Sequence, residues 1–265
     1  MTEATRRAIF EPVVEVWPGP IEVGVRVAAL ITDLVAATPH AAIGLPTGST
    51  PGPTYAALRA VAASRAVDFS GLTVFLLDEY VGLASENPQS YRSTIRREVT
   101  NDLGIAADRV FGPAGDASDP EEACQRYEEQ IAAAGGIALQ LLGIGRNGHI
   151  GFNEPGTAFG MRTHVTELSE DTREDNARFF VCLADVPTHA LTQGPATILN
   201  AGRSVLIATG AAKASAVARA FVGAVSVDCP ASVLRTHPDV RVVVDTDAAA
   251  ALPDSVPRVV HRAEG

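Results

Sequence analysis

Ala41-Ala-Ile-Gly-Leu45, followed at once by Pro46-Thr-Gly-Ser-Thr-Pro51 and then by a helical pattern through Tyr55-Ala-Ala-Leu58 towards Ala63, is the unit whose reading decides the fold. Five small or apolar residues without polar alternation read as a short strand buried on both faces. Thr50 and Pro51 read as the N-cap and first residue of the helix that follows. The unit recurs on both sides. Upstream, Val13–Trp17 reads as a strand and Ile21–Ala37 has helical apolar spacing. Downstream, Leu72–Leu77 reads as a strand and Ser90–Val99 as a helix. Ser118-Asp-Pro-Glu-Glu122 starts a helix that runs to Ala134. Ile137–Leu142 reads as a strand, and Glu170–Phe180 and Thr188–Asn200 as helices. Ser204–Thr209 reads as a strand, Ala211–Phe221 as a helix and Val240–Val244 as the last strand.

Repeated strand–helix alternation implies an α/β fold. The expectation is a Rossmann-like, doubly wound, mostly parallel sheet with helices on both faces. No repeat, low-complexity block or long linker interrupts it, so residues 1–265 read as a single domain. Apolar residues make up 46% of the 265 and charged residues 20%, which excludes a disordered chain. The formal charge of −10 argues against nucleic acid and anionic membranes as partners. No apolar run approaches the ~18–20 residues of a membrane span. The first twenty residues carry Glu3, Arg6, Arg7, Glu11 and Glu15 and no signal-peptide block, so a cytoplasmic location is expected. Cys124, Cys182 and Cys229 form no CxxC pair and no HExxH occurs. The cysteines read as buried or half-buried reduced thiols, with no metal site.

In a doubly wound sheet, ligands bind beyond the carboxyl ends of the strands. After Leu45, the hydroxyl-rich turn Thr47-Gly-Ser-Thr50 leads into a helix N-terminus. An anion site and an ordinary capped turn both fit. After Leu77 come Asp78 and Glu79, which fit general bases or a solvated turn or helix cap. After Leu142 comes Gly143-Ile-Gly-Arg-Asn-Gly-His-Ile-Gly-Phe-Asn-Glu-Pro155. It contains a literal GxGxxG at Gly143, Gly145 and Gly148. Gly151 and Pro155-Gly156 make a poor helix start, however, so a dinucleotide-binding oxidoreductase is disfavoured. The segment reads instead as a tight loop presenting Asn147, His149, Asn153 and Glu154. A histidine and a carboxylate on one short loop can share a proton and tune one another. Lys213, the only lysine, follows the strand ending at Thr209, and Arg178 lies in Asp-Asn-Ala-Arg-Phe-Phe; both are candidate phosphate contacts.

Taken in order, Leu45–Pro51, Leu77-Asp-Glu-Tyr-Val81 and the 143–155 loop resemble the glucosamine-6-phosphate deaminase family. Asn87-Pro-Gln-Ser-Tyr91, Arg162-Thr-His164, Asp171–Phe180 and Ala190-Leu-Thr192 extend the resemblance from about Gly44 to Val244. It implies conversion of glucosamine 6-phosphate and water to fructose 6-phosphate and ammonia, through ring opening, an enolamine and amine hydrolysis, with no metal or organic cofactor. Asp78 matches the base that moves a proton between C2 and C1. His149 matches the ring-opening group, and Asn147 and Glu154 the residues that orient and tune it; some members carry Asp at position 147. Thr47, Gly48, Ser49, Thr50, Arg178 and Lys213 match the phosphate-binding set.

The related 6-phosphogluconolactonases typically read Asp-Glu-Arg where this chain has Asp78-Glu79-Tyr80, and lack the counterpart of Glu154. A non-catalytic sugar-phosphate sensor is the other alternative, but the fold's regulators usually add a DNA-binding segment. Some members are hexamers activated by N-acetylglucosamine 6-phosphate, so a homo-oligomer is possible on this resemblance. The activator-site cations of those members are replaced here by His164 and Thr166, and all four tyrosines (Tyr55, Tyr80, Tyr91, Tyr127) lie in the first half of the chain.

Overall fold

Two-residue alternation sorts the strand side chains onto two helix-covered faces. The computed structural model describes residues 8–65 and 67–261; residues 1–7, part of the charged N-terminal stretch read above, lie outside them. The elements run β1 (Val13–Trp17), α1 (Pro20–Ala37), β2 (Ala42–Leu45), α2 (Gly52–Arg65), β3 (Thr73–Leu76), β4 (Asp78–Tyr80) and α3 (Tyr91–Ile95). They continue as β5 (Val110–Phe111), α4 (Pro120–Ala133), β6 (Leu139–Leu142), β7 (His164–Glu167), α5 (Glu170–Ala177) and β8 (His189–Thr192). The chain ends in α6 (Pro195–Leu199), β9 (Ser204–Ala208), α7 (Ala214–Phe221), β10 (Val240–Asp245) and β11 (Arg258–Val260).

Eight strands form one sheet in the order β11-β1-β10-β9-β6-β2-β3-β5, with every neighbouring pair parallel. Ile43, Leu45, Val74, Leu76, Leu139, Leu141, Val205 and Ile207 face α1 and α2 in one core. On the opposite face Leu142, Leu206, Val242 and Val244 pack on α7, and Ala42 and Phe75 on α4. The expected doubly wound architecture is therefore present. Asp119 caps α4 by accepting the Glu122 N–H at 3.0 Å, with Pro120 in the first turn, as the local pattern requires. No helix among the described residues is long and apolar enough to cross a membrane.

Four readings change. Asp78-Glu79-Tyr80 is not a loop but the strand β4. It joins β8 and β7 in a separate three-stranded antiparallel sheet. Thr188–Asn200 is not one helix: it splits into β8 and the single turn α6 at Gly194-Pro195. No side chain fits at Gly194, because a Cβ there would lie 2.2 Å from the Arg162 carbonyl oxygen. β10 is not the last strand, since β11 pairs beyond it on the outer side of β1. Cys124 and Cys229 are buried free thiols as expected, whereas Cys182 is exposed.

Candidate active site

The connections leaving β2 and β6 run in opposite directions along the sheet, β2 to its neighbour β3 and β6 towards β9. Such a reversal parts the loops at the carboxyl end and leaves a crevice. A cleft of about 860 Å³ opens there. Thr47, Gly48, Ser49 and Thr50 form one end of its wall, and Arg178 and Lys213 also line it. Asp78 and His149 face the same space. Asn147 and Glu154 are not part of the wall; they stand behind His149 and contact it from there.

The turn after β2 passes through Gly48 at φ +113°, a left-handed conformation that a side chain would strain. The helix begins one residue later than the sequence suggested. The Pro51 carbonyl accepts the Tyr55 N–H at 3.0 Å, and α2 starts at Gly52. The Arg178 guanidinium lies just past α5, 4.8 Å from the Phe179 ring centroid, and its Nη2 donates to Ser49 Oγ at 3.4 Å. Lys213 ends a 3-10 turn between β9 and α7. That turn is anchored where the Gly210 N–H donates to both Asp245 carboxylate oxygens, at 3.0 and 2.9 Å. The helix start after β2 and Arg178 thus meet at Ser49, and Lys213 lines the same cleft, a suitable seat for a phosphate.

The two adjacent acids have different tasks because successive strand residues face opposite sides. Glu79 is buried and accepts the backbone N–H groups of Tyr80, Tyr91 and Arg92 at 2.9–3.0 Å. It satisfies the first-turn donors of α3 and is structural. Burial raises the pKa of its carboxyl, and those three donors offset part of the rise. Asp78 is 6% exposed. Burial strips water from its carboxyl and the Glu79 charge repels a second one, which pushes it up to about 8. A carboxyl poised near neutral pH at the edge of a cleft suits a base that takes and returns a proton.

The loop after β6 contains no helix, so its GxGxxG does not build a dinucleotide site. His149 N–H donates to Asn147 Oδ1 at 3.1 Å, and its Nδ1 lies 3.2 Å from Glu154 Oε1. This leaves Nε2 for the cleft. Asn147 Nδ2 donates to Glu154 Oε2, and Thr172 Oγ1 donates to Glu154 Oε1 at 2.9 Å. Burial opposes ionisation of Glu154, but His149, Asn147 and Thr172 outweigh it and hold this carboxyl below its usual range. Gly145 makes room for the imidazole: a Cβ there would fall 2.3–2.5 Å from three ring atoms. Asn153 does not face the cleft as expected. It is buried, and its Nδ2 donates to the carbonyls of Ile150 and Gln193 at 2.7 and 2.8 Å.

The small sheet sets Asp78 against this loop. Asp78 pairs with Thr192 on β8, and Thr192 Oγ1 accepts the Phe152 N–H at 3.1 Å. Tyr80, which forms part of the wall, packs on Tyr91, Phe180 and Phe152 with ring centroids 4.7, 5.6 and 6.3 Å away. Sequence reasoning passed over Thr172 and Asn176, both in the cleft wall on α5. It also missed Arg219, whose guanidinium donates to the Asn147 carbonyl. The i, i+4 spacing of Thr172 and Asn176 was a usable signal for one cleft-facing side of α5.

Known proteins share both the sequence pattern and the architecture. The family model described as glucosamine-6-phosphate isomerases/6-phosphogluconolactonase matches residues 21–243. A glucosamine-6-phosphate deaminase from Arthrobacter sp. (strain FB24) is 51% identical over 239 residues, 90% of this chain and 92% of that one. One from Streptomyces avermitilis is 51% identical over 86% of this chain and 88% of its own. A solved monomeric glucosamine-6-phosphate deaminase is 42% identical with a TM-score of 0.88, covering 90% of this chain and 99% of that one. The 6-phosphogluconolactonase of Trypanosoma brucei, 23% identical with a TM-score of 0.75 over 92% and 100% of the two chains, shares the fold. On these matches the chain belongs to the family of glucosamine-6-phosphate isomerases and 6-phosphogluconolactonases.

Proposed function

We propose that this chain is a glucosamine-6-phosphate deaminase acting in the cytoplasm, converting glucosamine 6-phosphate and water to fructose 6-phosphate and ammonia. One observation carries the reading: the buried Asp78 carboxyl and His149, backed by Glu154, open into the same cleft as the Thr47–Thr50 turn. Relatives with that name at about half identity support it. The substrate phosphate sits on Thr47, Gly48, Ser49, Thr50, Arg178 and Lys213. His149 Nε2 takes the proton from the C1 hydroxyl and returns it to the ring oxygen as the C1–O bond to that oxygen breaks. Asn147 fixes the loop and Glu154 stabilises the imidazolium that forms.

Ionised Asp78 then takes the C2 proton. The C2–H electron pair forms the C1=C2 bond of the enolamine as the C1=O π pair moves onto the oxygen, which takes a proton from the substrate's own C2 ammonium group. Asp78 returns its proton to C1, leaving an imine at C2. Water adds to that carbon and ammonia leaves. Loop N–H groups or His149 stabilise charge on the enolamine oxygen.

The test is ammonia release from glucosamine 6-phosphate, compared with galactosamine 6-phosphate and with hydrolysis of 6-phosphogluconolactone. Rapid ammonia release from the first is expected. Lactone hydrolysis without ammonia release would replace the reading with that of a lactonase.

A further inference from the structure

The Glu154 carboxylate is held from an element that belongs to the other end of the cleft. Ser169 caps α5, accepting the Thr172 N–H at 3.3 Å, and its hydroxyl donates to Thr172 Oγ1 at 2.9 Å. Thr172 in turn donates to Glu154 Oε1, the oxygen 3.2 Å from His149 Nδ1. Thr172 is 8% exposed, so water does not readily replace it. At its other end the same short helix runs into Arg178, which reaches Ser49 in the turn after β2. Each hydroxyl in this chain has one proton to donate, and each donates it towards Glu154. The direction is set by the Glu154 carboxylate, which can only accept, so Thr172 donates to it and takes its own hydrogen bond from the Ser169 cap.

We infer that Thr172 is a positioning residue: through it, α5 orients the Glu154 carboxylate towards His149 and ties that pair to the helix that carries the phosphate contact Arg178. The inference rests on the deaminase reading for its effect on turnover and on geometry alone for its effect on Glu154. Thr172 acts through Glu154, to which its hydroxyl donates, rather than on the imidazole itself. A charge-assisted hydrogen bond lost from a buried carboxylate corresponds to about a tenfold or larger change in an equilibrium or rate. His149 is the titratable group against this carboxylate, while Asn147 and Thr172 are neutral.

The experiment compares Thr172→Val, which keeps the shape and removes the hydroxyl, with Thr172→Ser, which keeps the donor. Ammonia release gives kcat and KM, and carboxyl-carbon NMR follows the titration of Glu154 in the intact protein. The expected result is a kcat about tenfold lower in Thr172→Val, with KM within about twofold, a Glu154 carboxyl that titrates at higher pH, and both properties restored by serine. Wild-type kcat in Thr172→Val would overturn the inference. So would a loss of kcat with the Glu154 titration unmoved, which would mark a packing defect of α5. The underlying reading fails separately: full ammonia release by Glu154→Gln would remove Glu154 from the chemistry, while the NMR shift would still decide whether Thr172 holds it.

Discussion

Replacing Asp78 by Asn removes the proposed base and, at the same time, a carboxyl whose ionisation the fold opposes at a cost in stability. The carboxyl's ordinary value is 3.8 and its surroundings push it up to about 8. The folded protein thus binds this proton more tightly than the unfolded chain does. The resulting stability is complete below about pH 4 and is lost as pH rises through about 8. Each pH unit in that window is worth about 1.36 kcal/mol, so at pH 7 the ionisable carboxyl costs ~4 kcal/mol relative to low pH. Asparagine has nearly the same shape and never ionises. Asp78→Asn is therefore expected to melt higher than the parent at pH 7.5, by on the order of 10 °C for a chain of this size. Most of that gain should vanish at pH 4.5. Turnover should fall by roughly 10²–10⁴-fold, the usual consequence of deleting a general base. Scanning calorimetry at the two pH values and an ammonia-release assay measure both effects on one preparation. A variant that melts no higher than the parent at pH 7.5, or one that releases ammonia at near-parental rate, would refute the reasoning.

Three further outcomes follow from the same geometry. Gly145→Ala places a methyl group within 2.3–2.5 Å of the His149 ring, so the ring must move; kcat should drop on the order of 10²-fold while circular dichroism stays native. Arg178→Ala should raise KM about tenfold through loss of a charge-assisted phosphate contact, and the parent should turn over unphosphorylated glucosamine very poorly; equal activity on both sugars would disprove a phosphate seat at Thr47–Thr50. Initial rates should depend hyperbolically on substrate concentration and respond little to N-acetylglucosamine 6-phosphate. Arg162 is already engaged by Glu128 at 2.6 Å, and an effector shifts two states only through its differential affinity for them. A sigmoidal curve turned hyperbolic by that compound would contradict this.

The strands buried on both faces, the capped helix α4 and the loop that bears His149 were all legible along the chain. Apolar runs, N-caps and glycine-rich turns are local signals, and each element's type follows from a few neighbouring residues. The single-chain reading therefore reached the parallel sheet and the three strand-end segments that meet at the cleft. What it could not reach depends on pairings between distant segments. Asp78-Glu79-Tyr80 looks like a polar turn until β8 is placed beside it. His189–Thr192 looks helical until β4 and β7 supply the partners that make an extended chain the better state, because strand stability resides in cross-strand contacts rather than in the segment itself. The division of labour between Asp78 and Glu79 has the same origin: the first-turn N–H groups of α3, twelve residues further on, donate to Glu79 and leave Asp78 to the cleft. Residue chemistry marked which groups could hold a proton or a phosphate. Burial raised Asp78 towards neutral pH, and His149 with the donors of Asn147 and Thr172 kept Glu154 low; only the folded chain assembles those environments.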